Sequence, residues 1–125
     1  MPLRRVRLEL ARTPQFPDGN PACGYELRAP LDDEGRLAAE EWPDHKEECT
    51  VVRFWERADD EHGQLLHLRG NKWVFSYRPG EEDDEPIFRL DKHVFRPGEY
   101  VSVTEHDGVT RPFRVVSVAD PHLRG

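Results

Sequence analysis

The chain has 125 residues, with 18 Lys and Arg against 25 Asp and Glu, for a formal net charge of -7. A chain of this length fits one domain that buries roughly two-thirds of its unfolded surface, so it needs no covalent staples. The negative sign repels phosphate backbones and sets generic nucleic-acid binding aside. No apolar run follows the early arginines, so neither a signal peptide nor a membrane span is expected. Cys23 and Cys49 make no disulfide framework, and they are expected as free thiols of a cytoplasmic protein.

Leu3 to Leu10 alternate, with Val6, Leu8 and Leu10 on one side and Arg5, Arg7 and Glu9 on the other, the pattern of a half-exposed strand. Pro14, Pro17, Asp18-Gly19 and Asn20-Pro21 then oppose regular structure, so 13–21 is expected as loop. A short strand is expected around Tyr25 and Leu27, closing at Pro30. Residues 37–48 are the one helical candidate. Pro43 forbids a continuous helix, leaving a turn that ends near Trp42 or one that starts on Pro43. Trp42 is expected to plug one end of the core.

Thr50 to Arg57, rich in Val, Phe and Trp, reads as a strand. A two-residue loop at Gly70-Asn71 would pair Leu68 with Trp73 and Leu66 with Phe75, placing all four on one face. The acidic run Glu81 to Glu85 reads as a solvated connector, followed by a short strand at 87–90 and a turn at 91–93.

The stretch Phe95 to Val118 organises the rest. Pro97-Gly98 launches a strand, and Asp107-Gly108 reverses it. A two-residue loop would set Val101 opposite Arg114. The three-residue loop His106-Asp107-Gly108 pairs Val101 with Phe113 and Val103 with Arg111 instead. It gathers Val101, Val103, Phe113 and Val115 on one face. That register requires Gly108 in a left-handed bulge. Many short strands with one brief helix imply an all-β fold, a small barrel or strongly bent antiparallel sheet, with a short helical segment around 37–48. The domain is expected over 1–118, with a frayed tail at 119–125.

Chemistry-bearing motifs are sparse. The acidic run lacks the ligand spacing and internal glycine of a calcium loop. His93, His106 and Asp107 would converge only if the segment at Val94 crossed the last turn, so no metal site is expected. Were 45–49 helical, His45 would face Cys49 and lower its thiol pKa; a buried core cysteine is the plainer reading. No nucleophile motif or carboxylate pair names a catalytic residue. Arg89, Lys92, Arg96, Arg111 and Arg114 gather near Tyr100 and Phe113, diluted by Asp91, Glu99, Glu105 and Asp107. Such a face could hold a phosphate or stacked base, or be laced by cross-strand ion pairs.

Three resemblances touch these residues. Pro97-Gly98-Glu99-Tyr100 followed by Arg111-Pro112-Phe113 resembles the flavin-binding barrel of ferredoxin-reductase-type enzymes. That likeness implies Arg111 at a flavin pyrophosphate and Phe113 near the ring system. It departs where Arg114 replaces a hydroxyl residue and where no glycine-rich phosphate helix follows. The strand–turn–strand of Phe-x-Val type is similar to PUA-like and ASCH barrels, which bind RNA or modified nucleotides. Over most of its length the chain resembles a group of small bacterial proteins marked by Pro97–Val101, Glu105–Gly108 and Phe113–Val118, to which no activity is attached.

The expectation is therefore a small non-catalytic binding or interaction module, without a resident cofactor, for a protein or small anionic ligand. The alternative is a barrel that holds a nucleotide or RNA element near Arg96, Arg111 and Arg114, with Tyr100 and Phe113 beside them. A minimal flavin-binding protein is the third reading.

Overall fold

The computed structural model describes residues 3–69, 72–77, 85–87, 94–105 and 107–119, with 85–87 described through the backbone. The strands are β1 (Leu3–Leu10), β2 (Asn20–Pro30), β3 (Thr50–Phe54), β4 (Glu61–Leu68), β5 (Lys72–Ser76), β6 (Glu85–Ile87), β7 (Tyr100–Thr104) and β8 (Thr110–Ala119). Each pairs antiparallel with the next, and β8 pairs back onto β1, closing a barrel in simple meander order. Among the described residues, β6 meets β7 at the pair Ile87 and Val103. Alternation along β1, β2, β7 and β8 sends one apolar set inward. Register shifts in β1 at Arg7/Leu8 and Glu9/Leu10 supply the bends that closure needs.

Eight strands leave an interior just wide enough for side chains. Tyr25 sits at its centre, with its ring centroid 5.0 Å from Phe75 and 5.1 Å from Phe113. Val6, Leu8, Leu27, Val51, Leu65, Val101, Val103 and Val115 complete the wall. Among the described residues the barrel is thus a packed core, and candidate sites lie on its ends and outer face.

The expected last hairpin is observed. Val101 faces Phe113, Val103 faces Arg111, and all four apolar residues of that face are buried. Gly108 has φ +81°, and its amide donates to the Glu105 carbonyl at 2.8 Å. His106 lies outside the described residues. Pro112 is tolerated in β8 because its nitrogen lies on the side where β1 has ended. Its carbonyl on that side accepts from Ala11 at 3.0 Å.

The β4–β5 register differs by one residue from the expected one. Leu65 pairs with Phe75, His67 with Trp73 and Leu68 with Lys72. Leu65 is buried, whereas Leu66 and Leu68 are only half-buried. A one-residue slip exchanges the two faces of a strand. Gly63 shows why this face wins. A Cβ there would lie 2.3 Å from the Ser76 carbonyl oxygen, so the close approach of β4 and β5 at that level needs a glycine. The Gly70-Asn71 turn itself lies outside the described residues, as do the acidic run at 81–84, the stretch 88–93 and the tail from 120.

Two element bounds also shift. β2 begins at Asn20, earlier than expected, and the loop shifts from 13–21 to 11–19. β3 stops at Phe54, because a turn in which the Ala58 amide donates to the Trp55 carbonyl ends it. The helix is α1 (Trp42–His45), one turn with Pro43 in its first positions, the second of the two expected forms. Trp42 closes one end of the core. Its indole N–H donates to the Leu65 carbonyl at 2.9 Å, and its ring meets Trp73 edge-on at 6.3 Å. No helix among the described residues is long and apolar enough to cross a membrane.

Candidate functional site

Strand parity separates the residues that lie close together in sequence. Phe113 and Arg111 belong to the inward set of β8, whereas Arg114 belongs to the outward set. Phe113 is fully buried in the core. Arg111 is held at the barrel mouth. Tyr100 and Arg114 are paired across β7 and β8 on the outer face, with Tyr100 60% exposed. Arg96 sits in the turn before β7, where a Cβ on Gly35 would lie 3.4 Å from its stem, at the end of that strand away from the hairpin tip. The structure therefore joins Tyr100 to Arg114, gives Arg111 and Phe113 to the opposite face of β8, and leaves Arg96 in the turn that leads into Tyr100.

Arg111 is tied into a charge network. The Glu105 side chain is 1% exposed and accepts three donors: Tyr25 Oη–H at 2.6 Å and Arg53 Nε–H at 2.9 Å on Oε2, and Arg111 Nη1–H at 2.8 Å on Oε1. Arg111 also grips Asp107 through both terminal nitrogens, at 3.2 and 3.0 Å. Arg53 lies 3.5 Å from Glu61 and stacks on Trp55 with its guanidinium 4.2 Å from the ring centroid. Burial opposes the charge on Arg53, but Glu105 beside it prevails and its pKa is raised. The hydrogen bonds that Arg111 donates to Asp107, working against burial and together with Glu105, raise the pKa of Arg111. Two guanidiniums and three carboxylates satisfy one another here. The network fastens the β7–β8 hairpin to the β2–β3 wall across the barrel and leaves no cation for a ligand.

Neither thiol is activated. Cys23 and Cys49 are free and buried. Burial, with Glu48 adding to it, pushes Cys49 up to about 11. Burial likewise raises Cys23. The helical His45–Cys49 pairing does not form, because α1 stops at His45, whose ring turns to Glu48 at 3.4 Å. Desolvation without a cationic partner moves a thiol upward, the opposite of the activated case. No cluster of three metal-ligating side chains occurs among the described residues; His93 and His106 lie outside them.

What remains available is a groove of about 460 Å³ on the outer face of β8, between that strand and the 11–19 loop. Arg12, Arg114 and Tyr100 line it, with Glu9 and Asp18 at its rim. Arg12 and Arg114 make no ion pair with a described residue, whereas Glu9 is engaged by Arg7 at 2.9 Å. The loop is preformed. The Phe16 amide donates to both the carbonyl and the hydroxyl of Thr13, and the Thr13 amide donates back to the Phe16 carbonyl. The Phe16 ring packs against the core. Gly19, at φ +75°, lies against β1 so closely that a Cβ would stand 2.6 Å from the Leu10 carbonyl oxygen.

Sequence reasoning missed Arg12, Arg53, Tyr25 and Trp55, and had Glu105 only as one of the carboxylates open to cross-strand pairing. One signal for the network was present: the expected register placed Arg111 on the apolar face, and a charge there demands a buried partner. The partners themselves lie 52 and 80 residues from Glu105 along the chain. No protein-family model, curated protein or solved structure matches this chain.

Proposed function

We propose that this chain is a small non-catalytic binding module that takes an anionic group of a partner into the groove between Arg12, Tyr100 and Arg114. The observation that carries the reading is the coincidence, among the described residues, of two unpaired guanidiniums and the most exposed aromatic on one preformed surface. Arg and Tyr are the residues on which binding energy concentrates, and a rigid loop lowers the ordering cost of association. The non-catalytic character is supported by the protonated, enclosed thiols and by the saturation of Glu105. A cytoplasmic location fits two free buried thiols. The flavin likeness would require Phe113 to leave the core and Arg111 to leave Glu105 and Asp107.

The test is a titration of isotope-labelled protein with poly-glutamate and with inorganic phosphate, followed through backbone amide resonances. Saturable shifts are expected around Arg12, Tyr100 and Arg114 and not around Arg53. An Arg12→Glu/Arg114→Glu variant with unchanged circular dichroism should lose them. Shifts that fail to saturate, or that survive the charge reversal, overturn the reading.

A further inference from the structure

The groove does not end at Arg12. That residue also lines a second depression of about 360 Å³, whose walls include Pro14, Val109 and Pro112. Val109 is 46% exposed, so the two most exposed large apolar side chains among the described residues, Tyr100 and Val109, line one depression each. The two depressions adjoin at Arg12 and together make a trough beside β8, from Val109 just before that strand to Arg114. At about 3.3 Å per residue its length is roughly 17 Å.

Its halves differ chemically. The Arg114 half offers unpaired cations. The Val109 half offers valine and proline, and the guanidinium of Arg111 there is turned to Glu105 and Asp107. A nucleic-acid strand presents a phosphate at every step and wants cations along the whole path. Here they stand at one end, with Asp18 and Glu9 beside them, in a protein of net charge -7. A peptide with one carboxylate and one apolar side chain matches both halves. β8 is paired with β7 from Thr110 to Arg114 and with β1 from Phe113 to Ala119, and beyond β1 the Ala11 amide already holds the Pro112 carbonyl, so an incoming chain finds no run of free β8 backbone to extend. Recognition must run through side chains.

Building on the anion-binding reading, we infer that the partner is an extended peptide segment. It carries an acidic residue held by Arg12 and Arg114, and an apolar residue four to five positions away seated on Val109, Pro14 and Pro112. Tyr100 covers the stem of the acidic side chain.

The experiment measures fluorescence anisotropy of labelled nine-residue Ser/Gly peptides with one Leu and one Asp. In two of them Leu precedes or follows Asp by four residues; in the control the two are adjacent. One of the spaced orders is expected to bind at least tenfold tighter than the control. Arg114→Glu and Val109→Asp should each reduce that affinity tenfold or more. Arg28→Glu, on the exposed face of β2, should leave it unchanged. Equal affinity for spaced and adjacent peptides, indifference to Val109→Asp, an equal loss in Arg28→Glu, or equally tight binding of oligouridylate overturns the inference. If poly-glutamate still shifts the Arg12 and Arg114 amides in that case, the anion site stands and only its peptide assignment falls. If poly-glutamate fails as well, both fall.

Discussion

Glu105 shows how a single side chain sets the terms for its neighbours. Three donors converge on a carboxylate that is almost fully withdrawn from water. Removing one partner of a buried ionic group leaves the others desolvated and unpaired, at about 3–5 kcal/mol. Glu105→Ala should therefore lower unfolding free energy by that order in denaturant titrations. A triple Arg53→Met/Glu105→Leu/Arg111→Met variant should recover most of the loss, since apolar groups of similar volume replace the whole network. Cys49 makes a second prediction at this scale. Its thiol stays protonated to about 11 in the native state, against an ordinary value of 9.0. Between those values the native state holds a proton that the unfolded chain has released. The contribution is complete below pH 9 and falls as pH rises toward 11, by on the order of 2 kcal/mol in all. Denaturant unfolding at pH 8 and pH 10.5 should show a smaller drop in Cys49→Ala than in the parent protein.

At the scale of elements, backbone geometry decides registers that side-chain pattern leaves open. In the β7–β8 hairpin both agree. The bulge at Gly108 is a left-handed position with open space around it, so only backbone strain opposes a side chain there. Gly108→Val should cost about 1–2 kcal/mol, seen as a lower melting temperature with an unchanged far-ultraviolet spectrum. Gly24 makes the contrasting case. Its φ is unexceptional, but a Cβ would stand 2.0 Å from the Leu8 carbonyl oxygen, where β1 and β2 approach most closely. Gly24→Ala should destabilise by about 1–3 kcal/mol through overpacking against the backbone. A melting temperature equal to that of the parent would mean the two strands are farther apart than this geometry requires. The β4–β5 hairpin illustrates the failure of pattern alone. Leu65, Leu66, His67 and Leu68 offer no clean alternation, so either face could have gone inward. The glycine at 63 and the Trp42 hydrogen bond to Leu65 settle it.

Across the whole molecule, the ladders differ in extent. β1 is paired along its length with both β2 and β8, whereas among the described residues β6 meets β7 at one residue pair. Local opening follows the weakest ladder. Native-state hydrogen exchange should find the amides of β1, β2 and β8 opening only with global unfolding. The β6–β7 seam should exchange at a lower free energy. Equal protection on both sides of the barrel would show that closure is uniformly strong. The trough on β8 lies on the well-paired side, so the surface proposed for binding is backed by the most firmly held strands.

Local alternation and turn chemistry were sufficient for the all-β class, the face of β1, a brief helical segment within 37–48 and the register of the last hairpin. Each depends on residues adjacent or nearly adjacent in the chain. Tertiary structure alone decided which arginines are free. Arg111 and Arg114 are three residues apart, yet one is paired by Glu105 and Asp107 of the hairpin loop, in a network that Tyr25 of β2 and Arg53 of β3 complete. The other keeps its charge beside Arg12, from a loop about a hundred positions earlier. Closing the sheet into a ring brings residues that are remote in the chain within hydrogen-bonding distance. Electrostatic pairing depends on that distance in space, which strand periodicity does not encode.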